Sequence, residues 1–348
     1  MQNNILLTVA IPTYNRSETL EKILVQLRKE SNQNFLILIS DDNSSDKTSE
    51  MVKKYQKSMH NLIYHKNNEN LGFSENVFKL YELTKTQYMW FLCDDDMPLS
   101  GSIENILNAI NKYKPVVALF NCTWVNSYGQ KLTSGVKEDI LYKDLDSFTS
   151  YDALMRLGYL SVNVFKKKKS IVSLRNVPYK DNVFFQVTLA LLLLSKEFRF
   201  LEVAKSIVKR NVGFKYGDFF KFNVIDMIKA VSIIPHKFDN NEFIRQSKKN
   251  AFLALQLYLS QKLGLFQFDL KPTRDTKQKI FKYYGLLYGY FFLSFPFIKR
   301  VVPTFILKQI YLIKLLQVHG FKKGKKVYKR NINRAYKDTR KTKFTAYQ

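Results

Sequence analysis

Asp94, Asp95 and Asp96 stand in a row directly behind the apolar run Tyr88-Met89-Trp90-Phe91-Leu92-Cys93, which has the length and character of a buried strand. Three carboxylates at one strand end repel one another and raise each other's pKa unless positive charge sits among them. Hard divalent ions take one or two carboxylates and complete the shell with water or substrate phosphates. The strand must therefore end where a cation or a donor-rich loop can reach it. A second explanation is open at this point: Ser100 to Tyr113 reads as a helix, and acidic residues ahead of a helix often serve its N-terminus.

The segments before the triple aspartate alternate in type. Residues 5–11 are a continuous apolar run of strand length, expected to stop at Pro12. Thr19 to Glu30 carries Leu20, Ile23, Leu24 and Leu27 at helical spacing, with Ser17 as the expected cap. Phe35 to Ser40 reads as a second strand, Lys47 to Gln56 as a helix, Asn61 to His65 as a short strand and Gly72 to Thr84 as a helix. Strands alternating with helices of this length predict an α/β domain built on a mostly parallel sheet. Further on, Val116 to Val125 and Leu160 to Phe165 read as strands, and Asp181 to Leu194 as a strongly apolar helix whose four consecutive leucines are too short to span a bilayer. Beyond about residue 215 strand signals fade, and helices are expected at Asn223 to Ile234, Glu242 to Leu265 and Thr276 to Phe295.

Charge divides the chain. Of its 56 Lys+Arg and 29 Asp+Glu, residues 1–215 hold 29 and 22, giving +7, and residues 216–348 hold 27 and 7, giving +20. The first part has an ordinary globular balance, and the second is a cationic, aromatic-rich extension that calls for an anionic partner. Two cysteines, Cys93 and Cys122, offer neither zinc spacing nor a disulfide framework and suit a reducing compartment. The N-terminus enters its first strand within a few residues, so no secretory leader is expected.

In open α/β sheets ligands collect beyond the carboxyl ends of the strands. Three polar clusters fall at such ends: Pro12-Thr13-Tyr14-Asn15-Arg16, Asp41-Asp42-Asn43-Ser44-Ser45-Asp46, and Asp94-Asp95-Asp96. Together with Asn70-Leu71-Gly72-Phe73-Ser74-Glu75-Asn76, their order and spacing resemble the motifs of family 2 glycosyltransferases of the GT-A fold, most closely the abequosyltransferase-like enzymes of bacterial surface-polysaccharide assembly. The resemblance covers roughly residues 5–215 and stops before the basic extension.

The resemblance implies a GT-A Rossmann-like domain over residues 1–215 that binds a nucleotide-diphosphate sugar, by default a UDP-sugar, with Mg2+ or Mn2+. Pro12, Thr13, Tyr14, Asn15 and Arg16 would line the nucleotide pocket, with Asp41 and Asp42 beside them. A carboxylate accepts and never donates, which suits a base imide N–H or ribose hydroxyls. Asn70, Gly72 and Asn76 would lie under the same pocket, where Gly72 also serves as a tight turn before a helix. Asp94-x-Asp96 fits the family's D-x-D directly, while the longer form of the motif puts Cys93 at its first position and makes Asp95 the main ligand. Asp94 is thus expected on the nucleotide, and Asp95 and Asp96 on the metal. Asp181 stands near the family's Glu-Asp base motif, with Lys180 in place of the Glu, and would deprotonate the acceptor in an inverting single displacement. The residue itself is equally suited to a helix N-terminus. Arg210 and Lys215 are open between diphosphate contact and solvated surface charge.

Within residues 216–320, Tyr283 to Ile298 is charge-free but shorter than a spanning helix, and lysines flank it. Residues 321–348 form a polybasic tail in which Asp338 is the one acid. An aromatic helix and a lysine-rich tail together predict peripheral attachment to an anionic membrane at the cytoplasmic face, near a glycan or lipid-linked oligosaccharide acceptor. A helical core or homo-oligomer contact is the competing expectation for the first of these. Two other functions compete: nucleic-acid binding through the basic half, which the strand-end acids would oppose, and an inactive scaffold at the membrane. No nucleic-acid partner is expected.

Overall fold

The structure, a computed structural model, describes residues 5–125, 131–144, 153, 156–168 and 184–210. In chain order the elements are β1 (Leu7–Thr13), α1 (Ser17–Arg28), β2 (Leu36–Asp41), α2 (Thr48–Gln56), β3 (Leu62–Lys66), α3 (Phe73–Leu83), β4 (Tyr88–Phe91), β5 (Met97–Pro98), α4 (Ser102–Tyr113), β6 (Val117–Val125), β7 (Lys131–Ser134), β8 (Ile140–Tyr142), β9 (Asn163–Lys166), α5 (Phe185–Lys196) and β10 (Phe200–Lys209). Asp181, Lys215, the expected helices beyond residue 215 and the polybasic tail lie outside the described residues.

All ten strands join one sheet in the order β3-β2-β1-β4-β9-β6-β10-β5, with β7 on β6 and β8 on β10. The half built from β3, β2, β1 and β4 is parallel, as the alternating pattern predicts. The sheet as a whole is mixed, because β9 inserts antiparallel between β4 and β6. An α/β sheet of this kind with helices against it is the GT-A architecture expected from the sequence.

Apolar periodicity places the core. Every residue of β1 is buried, and α1 buries the predicted stripe Leu20, Ile23, Leu24 and Leu27. Helix α5 has no polar face because it is buried nearly all round, with Phe185 edge-on to Phe78 of α3 at 5.7 Å between centroids.

Four local expectations need correction. β1 does not stop at Pro12: it runs on to Thr13, with Pro12 opposite Ser40 and Thr13 opposite Asp41. Backbone groups alternate sides along a strand, and the Ala10 carbonyl accepts the Leu92 N–H on the β4 side, so the Pro12 nitrogen faces that same side. The ladder to β4 has reached its last bond there, and β2 on the other side loses nothing. Second, Ser17 is not the cap of α1. Its own N–H is capped by the Asp46 carboxylate from the β2–α2 loop at 3.1 Å. Third, Leu160–Val162 forms a 3-10 turn, and the strand begins only at Asn163, whose side-chain amide holds the Leu157 and Tyr159 carbonyls at 2.8 Å each. Fourth, the triple aspartate does not serve α4. Buried Glu30 does, accepting the Gly101 N–H at 3.1 Å and the Ile103 N–H at 3.4 Å.

Far from these loops, Glu202 of β10 pairs with Arg156, at 1% and 5% exposure, and accepts the Tyr142 hydroxyl at 3.0 Å. Removing one partner leaves a buried charge uncompensated. Glu202→Gln is therefore expected to destabilise the fold by about 3–5 kcal/mol, whereas Arg156→Met with Glu202→Leu together should cost far less. Urea denaturation of the three proteins checks this, and equal losses in single and double variants would refute the ion pair's role.

Candidate active site

Parallel pairing brings the carboxyl ends of β1, β2 and β4 to one edge. Thr13 lies opposite Asp41, the Asp42 N–H reaches the Thr13 carbonyl at 2.9 Å, and the Thr13 hydroxyl donates to Asp94 at 2.8 Å. The three clusters of the sequence therefore share one site rather than scattering over the surface.

The first two loops are stitched together by side chains. Asn15, at φ +51°, accepts the Ser45 N–H at 2.8 Å through its side-chain oxygen and donates its own N–H to the Ser44 hydroxyl at 2.8 Å. Asn is among the few residues that hold a left-handed backbone without large strain, which suits it to this crossing. Asp41 accepts the Ser44 N–H at 2.8 Å and the Tyr64 hydroxyl, and burial together with that bond pushes the Tyr64 phenol up. Asp42 accepts the Leu71 and Gly72 N–H groups at 2.8 and 2.9 Å and the Asn67 amide at 3.0 Å. Asn76 is buried as well, bonded to Asn67 at 3.1 Å and to the Ser40 carbonyl at 2.9 Å. Asp46 caps two helices, bonding Ser17 and Thr48; burial raises its carboxyl, but those donors together outweigh it and hold the group below the ordinary range.

Thus Asp41, Asp42 and Asn76, assigned to the nucleotide by resemblance, have their polar atoms engaged in the loop framework. The exposed face of the site is Tyr14, 46% accessible, with Asn15, Arg16, Asn70 and Gly72; Pro12 and Thr13 lie buried beneath. Gly72 has φ +84° and ψ 160°, a region in which only glycine is at ease, so the tight-turn requirement is met at this position. Arg210 stacks its guanidinium on the Tyr159 ring at 3.9 Å.

The three consecutive aspartates point to different partners. Asp94 turns toward β1, taking the Thr13 hydroxyl and, at 3.2 Å, the Arg16 guanidinium. Burial raises its carboxyl to about 6, while Arg16, Thr13 and the Tyr14 N–H pull it down and Asp95 adds to the rise. Asp95 meets the same Arg16 nitrogen at 3.0 Å. Asp96 accepts the Ser161 hydroxyl at 2.7 Å, and Ser161 in turn accepts the Cys93 N–H at 2.9 Å.

One ligand atom from each of Cys93, Asp95 and Asp96 falls within 4.8 Å of the others. Two neighbouring carboxylates suit Mg2+ or Mn2+, which prefer oxygen. Burial, with Asp96 and Asp95 adjacent, pushes the Cys93 thiol up. Asp95 and Asp96 thus lie in one group with Cys93, while Asp94 turns to the Thr13 side and shares Arg16 with Asp95.

Three participants were not legible in the sequence. Ser161 arrives from a turn 65 residues beyond Asp96, fixed by the Trp90 indole N–H to its carbonyl at 2.8 Å. Tyr64 and Glu30 likewise gain their roles only through tertiary packing. No spacing rule would have found them.

A mixed sheet of this order, with a carboxylate cluster behind β4, has the GT-A architecture. Residues 8–167 match the family described as glycosyl transferase family 2. Over 107 residues the chain is 33% identical to a Campylobacter jejuni GalNAc(5)-diNAcBac-PP-undecaprenol beta-1,3-glucosyltransferase, covering 30% of this chain and 35% of that one. Over 101 residues it is 35% identical to abequosyltransferase RfbV of Salmonella typhimurium, covering 28% and 30%. The chain thus spans about a third of the length of these curated relatives. Among solved structures it resembles S. aureus TarS 1–349 in complex with UDP, with a TM-score of 0.58, 16% identity and 80% of each chain covered. It also resembles mannosyltransferase PcManGT from Pyrobaculum calidifontis in complex with GDP-Man and Mn2+, with a TM-score of 0.53, 12% identity and 95% and 84% covered.

The Asp94 carboxyl links stability to pH. With its folded value at about 6 against an ordinary 3.8, the folded protein keeps a proton that the unfolded chain has released between those values. Its contribution is full below the lower value and declines as pH rises through the upper one, by at most about 3 kcal/mol. Metal-free protein is expected to lose urea stability between about pH 4.5 and about pH 7.5, and Asp94→Asn should lose measurably less. Identical profiles would show that Asp94 is not held in this way.

Proposed function

We propose that this chain is a metal-dependent glycosyltransferase that moves a sugar from a nucleoside-diphosphate sugar to a glycan or lipid-linked acceptor during bacterial polysaccharide assembly. The observation that carries the reading is the grouping of Asp95 and Asp96 within one ligand-sized space, at the edge where Thr13 meets Asp94. The family match of residues 8–167 supports transfer from an activated sugar, and the solved neighbours carrying UDP, UDP-GlcNAc and GDP-Man support a nucleotide donor. The relative acting on an undecaprenol-linked glycan supports a lipid-linked acceptor.

In this reading Asp95 and Asp96 hold Mg2+ or Mn2+, and Ser161 fixes Asp96 in place. The ion supplies Lewis-acid neutralisation of the departing diphosphate. Tyr14 offers an exposed ring beside the loop that Asn15 ties to Ser44 and Ser45, a surface on which a base can stack. Asp94, anchored by Thr13, is left to face ribose hydroxyls, which a carboxylate accepts. Asp181 remains the proposed base, giving inversion by single displacement. Residues 216–320 and the tail 321–348 are proposed as a helical membrane-associating or oligomerising region and a polybasic anchor at the cytoplasmic face. No helix among the described residues is long and apolar enough to cross a membrane.

A thermal-shift panel of UDP, GDP, TDP and CDP with and without Mn2+ tests the reading. One nucleotide is expected to stabilise the full chain strongly only when Mn2+ is present. Asp95→Ala and Asp96→Ala should abolish that dependence, and Ser161→Ala should weaken Mn2+ binding by roughly 10-fold, as losing a group that orients a ligand does. Equal shifts with and without metal in all four proteins would sink the metal site.

A further inference from the structure

Arg16 is placed where two different cations make claims on one carboxylate. A single guanidinium nitrogen lies 3.2 Å from an Asp94 oxygen and 3.0 Å from an Asp95 oxygen. Arginine pairs most strongly when two of its nitrogens meet two oxygens of one carboxylate; sharing one nitrogen between two acids is the weaker arrangement. The acids sit inward, at 12% and 19% side-chain exposure, while Arg16 is 39% exposed and therefore stands at the mouth. Its main chain is fixed: the Arg16 carbonyl accepts the Leu20 N–H at 3.0 Å and the Thr19 hydroxyl at 3.1 Å, as the first turn of α1 requires. Only the side chain is left to move. Asp95 also supplies one of the three atoms grouped with Cys93 and Asp96.

We propose that Arg16 exchanges partners as the donor binds, neutralising Asp94 and Asp95 first and turning to the diphosphate when a divalent cation takes Asp95. The inference rests on the function proposed above and adds a binding order to it. A divalent ion on Asp95 both competes for the carboxylate and repels the guanidinium. The group entering the same mouth is a diphosphate, whose oxygens match the planar five-donor fork better than one shared nitrogen matches two acids. Metal and diphosphate are thereby coupled through one side chain: each removes what holds Arg16 away from the other, and the coupling must be reciprocal.

The test uses the full chain, Mn2+ alone followed by electron paramagnetic resonance, and inorganic pyrophosphate titrated by calorimetry at saturating Mn2+. Arg16→Gln removes the competing charge, so Mn2+ alone should bind roughly 5-fold tighter or more, while pyrophosphate binds at least about 5-fold weaker, the lower end of ordinary site coupling. Damage to the fold would weaken both, so opposite shifts identify the exchange. A folded Arg16→Gln protein with unchanged or weaker Mn2+ binding, or with unchanged pyrophosphate binding, overturns it. Should that variant fail to fold, Arg16→Lys decides: it keeps the charge and loses the fork, so Mn2+ affinity should stay within about twofold while pyrophosphate affinity falls. Equal loss of both overturns the inference. Wild-type protein that binds neither Mn2+ nor any of the four nucleoside diphosphates refutes the proposed function and takes the inference with it.

Discussion

Six carboxylates gather at one end of this sheet, and their mutual repulsion is the constraint around which the loops are built. Almost every acid is matched to donors from a different strand end. Asp42 of the second loop holds the amides that open α3, Asp46 holds the first amide of α1, and Asp94 behind β4 takes the Thr13 hydroxyl at the tip of β1. Acids that would drive the loops apart become the acceptors that tie them together, because a buried polar group is stable only where a partner meets it. The site and the fold thus share the same interactions, and neither can be altered alone.

Within that arrangement the acids divide by neighbourhood. Asp41 and Asp42 face protein donors, so they frame the site. Arg16 meets Asp95 and the Ser161 hydroxyl donates to Asp96, and both carboxylates group with Cys93 within one ligand-sized space. Asp94 stands between these groups, buried enough for its carboxyl to sit near 6. Three consecutive residues of one type therefore meet different partners, set by which way the backbone turn aims each of them.

The parts of this arrangement that could be read in advance depend on short-range patterns. Leu20, Ile23, Leu24 and Leu27 fall at helical spacing, and the uninterrupted apolar run of β1 ends in polar residues, so both the element and its buried side follow from the sequence. Convergence of the three clusters was legible because a parallel sheet places all its carboxyl ends along one edge. What escaped was decided by distant partners. Pro12 looks like a stop until the pairing on its two sides is known, and Ser17 looks like a cap until Asp46 is brought to the helix from another loop. Ser161 is an ordinary serine in an ordinary turn, distinguished only by where β9 docks. Asp181 lies outside the described residues, and its assignment as the base follows from resemblance and chemistry.

The position of β9 has a further consequence for biosynthesis. β4 takes β1 as one neighbour early, but its other neighbour is encoded after β5, α4, β6, β7 and β8. While the ribosome works through that interval, one side of β4 presents unsatisfied N–H and C=O groups on a strand whose side chains are Tyr88, Met89, Trp90 and Phe91. Such an edge is adhesive, and long-range pairing of this sort closes slowly. Rapid elongation across residues 92–162 shortens the time this edge stays open, so sequence changes that slow synthesis there favour aggregation without altering the finished fold.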